Sequence, residues 1–181
     1  IIEKAPGKSG LVYPREDRII CANHFQGEVF ADDKRNIDNI NESDSRPRYL
    51  RVEELLDRTG KVDELAAATV LRNRQGLGNT EIGMGNELAV NQLIAHHSVI
   101  FKPDSLLMWV SESPYQLGRY IAYDLKKVFE TEISSIKNND EIYSADRIIP
   151  ADTFLYSEDY MDFQKYRTMS RELAKMTDDG T

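Results

Sequence analysis

A single cysteine, Cys21, in a chain of 181 residues excludes an internal disulfide and leaves the redox compartment open. No apolar run approaches the roughly 20 residues of a membrane span. Basic charge is in short supply: 23 Lys and Arg face 31 Asp and Glu, a net charge of −8. That balance, with a pI near 5.0, argues against nucleic acid or an anionic membrane as the main partner. The chain opens Ile1-Ile2-Glu3-Lys4 without a Met, a basic n-region or an apolar signal segment, and is read as the downstream piece of something longer.

Several reaction chemistries lack a component. Ser98 and Ser113 have no G-x-S-x-G context, so a hydrolase elbow is missing. Gly83-Met84-Gly85-Asn86 lacks the third glycine of a dinucleotide fingerprint and follows no clear strand, so this stretch reads as loop. His96 and His97 would diverge on a strand, and with His24 they find no cysteine or carboxylate to complete a zinc set. No cofactor and no metal are expected.

What is present suits one globular domain spanning 1–181, with a tail at 177–181 that should fray. Hydrophobic residues make up 40% of the chain, with nine tyrosines, six phenylalanines and one tryptophan, enough for a sizeable core. Leu11-Val12-Tyr13 reads as a short strand closed by Pro14, forming a hairpin with 18–22. The polar, Asn- and Asp-rich stretch 26–44 reads as a long loop bordering a site. Helices are expected at 46–58, ending near Gly60, and at 62–72, where Val62, Leu65, Ala66, Thr69 and Val70 share a side. Residues 98–101 and 106–110 form a near-continuously apolar hairpin of strands covered on both faces, and 119–125 a third strand. From 157 to 176, Tyr160, Met161, Phe163, Tyr166, Met169, Leu173 and Met176 recur at mostly helical spacing. Strand runs and helix runs in this order indicate an α+β arrangement.

The chemistry concentrates where the apolar run 18–25 ends. As a strand it would turn Ile19, Cys21 and Asn23 to the core face and Ile20, Ala22 and His24 to the other. At the strand tip the Asn23 amide can stay half buried with its NH2 free to donate to a ligand oxygen. Cys21 and His24 have the look of a nucleophile and base, but three positions apart on a strand they face opposite ways. Cys21 is therefore read as a buried apolar residue. In the next helix Ser45 can cap, Pro47 fits the first turn, and Tyr49, Val52, Leu55 and Leu56 make one face. Arg48 is an odd cation at the positive end of the helix dipole, and its plainest reading is a solvated partner of Asp44 or Glu54.

Cys21-Ala22-Asn23-His24-Phe25, followed by Ser45-Arg46-Pro47-Arg48-Tyr49, resembles the T-N-H-F and S-x-x-R-[FY] segments of the acyl-CoA:6-aminopenicillanic acid acyltransferase-like family. These are N-terminal-nucleophile (Ntn) amide hydrolases, distantly related to choloylglycine hydrolases and penicillin V acylases. The strands around His96-His97-Ser98-Val99-Ile100-Phe101 and Leu107-Met108-Trp109-Val110 resemble the family's paired strands, so the likeness runs over roughly residues 1–130. Ala22 stands where the family commonly has threonine, which removes a hydroxyl beside Asn23.

The resemblance implies a portion of a four-layer αββα sandwich and a precursor that cleaves itself to expose a catalytic cysteine, whose α-amine serves as base. That nucleophile would lie in an upstream part of the same precursor, leaving this chain inactive alone. Asn23 carries over as the oxyanion donor and Arg48 as the active-site arginine; the substrate would be a small amide or acyl compound. Without the upstream half, self-association through the uncovered sheet is expected. The competing reading is a non-catalytic binding or assembly module of the same fold.

Overall fold

The computed structural model describes residues 1–130 and 142–178. They form an α+β protein of two compact units, Ile1–Gln92 and Leu93–Thr181, where the sequence reading expects one domain. Among the described residues no helix is long and apolar enough to cross a membrane.

The first unit opens on a hairpin. Strands β1 (Ile2–Ala5) and β2 (Lys8–Leu11) pair antiparallel through a Pro6-Gly7 turn. Gly7 sits at φ 74°, a left-handed conformation that an L side chain resists. The expected hairpin between 11–13 and 18–22 is thereby pre-empted. Main-chain groups of β2 are taken by β1, Val12 N–H donates to the Ile1 carbonyl, and residues 15–18 close only a tight turn through an Arg15–Arg18 bridge.

The stretch read as a long loop contains helix α1 (Lys34–Glu42). Its signal is a cap: the Asp33 carboxylate accepts from the N–H groups of Arg35 and Asn36. Helix α2 (Ser45–Thr59) matches expectation and stops at Gly60, φ 67°. Ser45 is its first helical residue, not its cap, and is buried. Helix α3 (Glu64–Leu71) starts after Asp63, whose carboxylate accepts from Ala66 N–H. It buries Ala68 and Val70, whereas Val62, Leu65 and Thr69 of the expected face are exposed. Arg51 of α2 is 1% exposed, bonding Glu54, Asn73 and Asn79; the Glu54 carboxylate also accepts from Gly78 N–H. This network fastens the glycine-rich loop to α2.

The second unit holds β3 (Val99–Lys102), β4 (Leu107–Ser111) and β5 (Tyr120–Asp124) in one antiparallel sheet, order β3-β4-β5. Period-2 alternation buries Leu107, Trp109 and Ser111 of β4. Coverage of both faces does not extend to β3, where Val99 and Phe101 are exposed. Trp109 is fully buried and donates its indole N–H to the Arg147 carbonyl at 2.8 Å. After the short helix α4 (Leu125–Glu130) come helix α5 (Glu158–Asp178) and a cluster of Leu93, Leu117 and Tyr160 with Phe154 and Phe163 against it. Met169, Leu173 and Met176 farther along α5 remain exposed. Of the tail expected to fray, Thr177 and Asp178 end α5 and 179–181 lie outside the described residues.

Candidate functional site

Residues 19–25 have no strand partner, which corrects the reading of this run as a strand. The two-residue alternation survives with its parity reversed. Ile20, Ala22 and His24 are half-buried, while Ile19, Cys21 and Asn23 are exposed. The reason lies at His24, whose Nδ1 is 2.8 Å from Oγ of the buried Ser45, so the even-numbered residues turn toward α2. Cys21 is accordingly an exposed free thiol, not a core residue. It forms no dyad with His24, whose described hydrogen bond goes to Ser45.

Side chains supply what a sheet would otherwise give. Both carboxylate oxygens of the buried Glu3 accept main-chain N–H groups, from Gln26 and Gly27, each at 2.8 Å. Gln26 Nε2 donates back to the Ile20 carbonyl. From α1, Asn36 bonds both main-chain groups of Phe25, and Asn39 Nδ2 donates to the Asn23 carbonyl at 2.8 Å. The Phe25 and Phe30 rings stack beside them, centroids 4.1 Å apart.

Asn23 and Arg48, 25 positions apart in sequence, meet directly: Arg48 Nη2 donates to Asn23 Oδ1 at 2.8 Å. Guanidinium is a donor only, so the amide must present its oxygen to it, and the Asn23 NH2 is left to donate elsewhere. Arg48 Nη1 pairs with Asp44 Oδ2 at 2.8 Å, and Gln92 Nε2 reaches the same oxygen at 3.2 Å. The plain reading of Arg48 as a partner of Asp44 therefore holds together with its contact to Asn23. Asp44 thus offsets the Arg48 charge while the other guanidinium nitrogen holds the Asn23 amide oxygen.

Asn23 and Arg48 line a cleft of about 450 Å3, whose wall includes Ile20, Val52, Leu56 and Val70. Residues 21–23 also border a second cleft of about 660 Å3, between the β1–β2 hairpin and α1. Burial holds the His24 imidazole below its ordinary pKa; Arg46 pushes the same way and Glu3 opposes. His96 and His97 are exposed, and among the described residues no group of three His, Cys, Asp or Glu is placed to hold a metal.

Sequence reasoning missed Asn36, Asn39 and Glu3. The N-x-x-N spacing after Asp33 carried a usable signal for the first two, since residues three apart share a helix face. No family model, curated protein or solved structure matches this chain.

Proposed function

We propose that this chain is the part of an Ntn-type hydrolase or acyltransferase of linear amide C–N bonds that supplies the oxyanion donor and its orienting arginine. The observation that carries this reading is the Arg48–Asn23 hydrogen bond, which commits the amide oxygen and leaves its NH2 able to donate. In this reading the tetrahedral intermediate's oxygen accepts from Asn23, and the acyl portion of a small substrate occupies the cleft walled by Val52, Leu56 and Val70. The nucleophile belongs to an upstream part of the same precursor, the whole being a four-layer αββα sandwich. That part, or a second copy, covers Val99 and Phe101 on β3.

The test expresses the parent reading frame and assays amide hydrolysis and acyl transfer. Asn23→Ala should lower kcat by about 3 kcal/mol of barrier, and this chain alone should be inactive. Full activity in the variant would end the proposal. The Arg48–Asp44 ion pair favours the second reading, a non-catalytic binding or assembly module, because a neutralised arginine is an ordinary structural feature. Activity of the parent protein that depends on Asn23 decides against it.

A further inference from the structure

The main-chain N–H of Phe25 donates to Asn36 Oδ1, and Asn36 Nδ2 donates to the Phe25 carbonyl, both at 2.9 Å. One side-chain amide thus offers the donor and acceptor that a neighbouring strand would offer. Asn36 is 6% exposed, and its Nδ2 also lies 3.4 Å from the Phe30 carbonyl. A buried amide satisfied on both atoms has one compatible orientation, so it fixes Phe25 with little freedom. One helical turn on, Asn39 reaches the carbonyl of Asn23 itself. The main chain of residues 23–25 is thereby registered against α1, while α2 holds the Asn23 side chain through Arg48.

We infer that Asn36 and Asn39 are positioning residues for Asn23: they set the backbone from which its NH2 is aimed, a task Arg48 cannot perform alone. A hydrogen bond from Arg48 constrains one oxygen at the end of two rotatable bonds. Fixing the carbon from which those bonds start requires contacts to the main chain, and α1 makes them. This deepens the proposed oxyanion role of Asn23 and rests on that reading for its catalytic consequence, though not for its structural one.

The experiment measures 15N relaxation of the Asn23 side-chain NH2 in the chain as it stands, in wild type, Asn39→Ala, Asn36→Asp and Arg48→Gln. Wild type should be rigid on the ps–ns timescale. Asn39→Ala, at a half-buried position and with its fold checked by circular dichroism, should drop the order parameter below about 0.6. Asn36→Asp keeps the acceptor for Phe25 N–H and loses the donor, and should have the same effect. If that variant does not fold, Asn39→Ala alone decides. An order parameter that falls in Arg48→Gln and is unchanged in Asn39→Ala would overturn the proposal. In the active parent protein, Asn39→Ala should lower kcat roughly ten- to a hundredfold with KM little changed. Loss of the oxyanion reading, through a fully active Asn23→Ala, would leave the relaxation result standing, so the two failures are distinguishable.

Discussion

In the unit 93–181, strands β3, β4 and β5 satisfy one another's main-chain groups through a regular ladder. Residues 19–25, in the unit 1–92, have no strand partner and are held by polar contacts from Gln26, Asn36 and Asn39. The difference is one of redundancy. A ladder spreads its bonds over many main-chain groups that no substitution short of proline removes, whereas a side-chain tether is erased by a single codon. Its advantage is aim, because side chains from two helices can fix one residue at a cleft, where a strand would alternate it regularly across a sheet.

The largest expected effect lies in the unit built on the ladder, since its stability rests on packing. Trp109→Ala removes a fully buried indole and orphans the Arg147 carbonyl, and should cost about 4 kcal/mol in chemical denaturation. Phe101→Ala, at an exposed position of β3, should stay within about 0.5 kcal/mol. Equal costs would mean that this sheet is not packed as described.

In the other unit, Arg51→Met should cost about 2 to 3 kcal/mol, because it leaves Asn73 without the guanidinium and weakens the partly buried contacts at Glu54 and Asn79. A neutral outcome would show that the glycine-rich loop is fastened without this network. Asp44→Asn should change stability by less than about 1 kcal/mol, since the Arg48–Asp44 pair is partly solvated. A large loss there would make Asp44, not Asn23, the main anchor of Arg48.

The smallest effect is a pH slope. His24 has its pKa lowered in the folded chain, chiefly by burial, so the unfolded chain binds this proton more readily. Its contribution is fully present above the ordinary histidine value near 6.5 and is lost as pH falls through the lowered folded value. Melting temperature should decline as pH falls from neutral to below the ordinary histidine value, and His24→Gln should flatten that decline. Glu54 and Asp33 titrate below their ordinary values because of hydrogen bonds to Arg51 and Lys8 respectively. Their contributions are present above the ordinary carboxylate values and are lost as pH falls from there through the lowered folded ones. A slope unchanged in His24→Gln would assign the decline to other groups.

Legibility in the sequence followed the kind of force at work. Helices α2 and α5 and the three strands of the second unit were readable because apolar periodicity marks them, and Gly60 marks a stop. Helix α1 was hidden because its buried residue is Asn36, a polar side chain that composition assigns to a loop. The run 18–25 has the right alternation and the wrong parity, since nothing local tells which of two faces a neighbour will cover.

The sequence by itself determined helices α2 and α5, the three strands of the second unit and a net charge of −8. These are properties of local spacing and side-chain chemistry. Only the tertiary structure decided that Arg48 holds the Asn23 oxygen while Asp44 offsets its charge, and that α1 side chains take the place of a strand along 23–25. Such pairings depend on a hydrogen bond a few tenths of an ångström wide in tolerance between groups far apart in the chain, and a local pattern carries no information about which of many amides and carbonyls will meet.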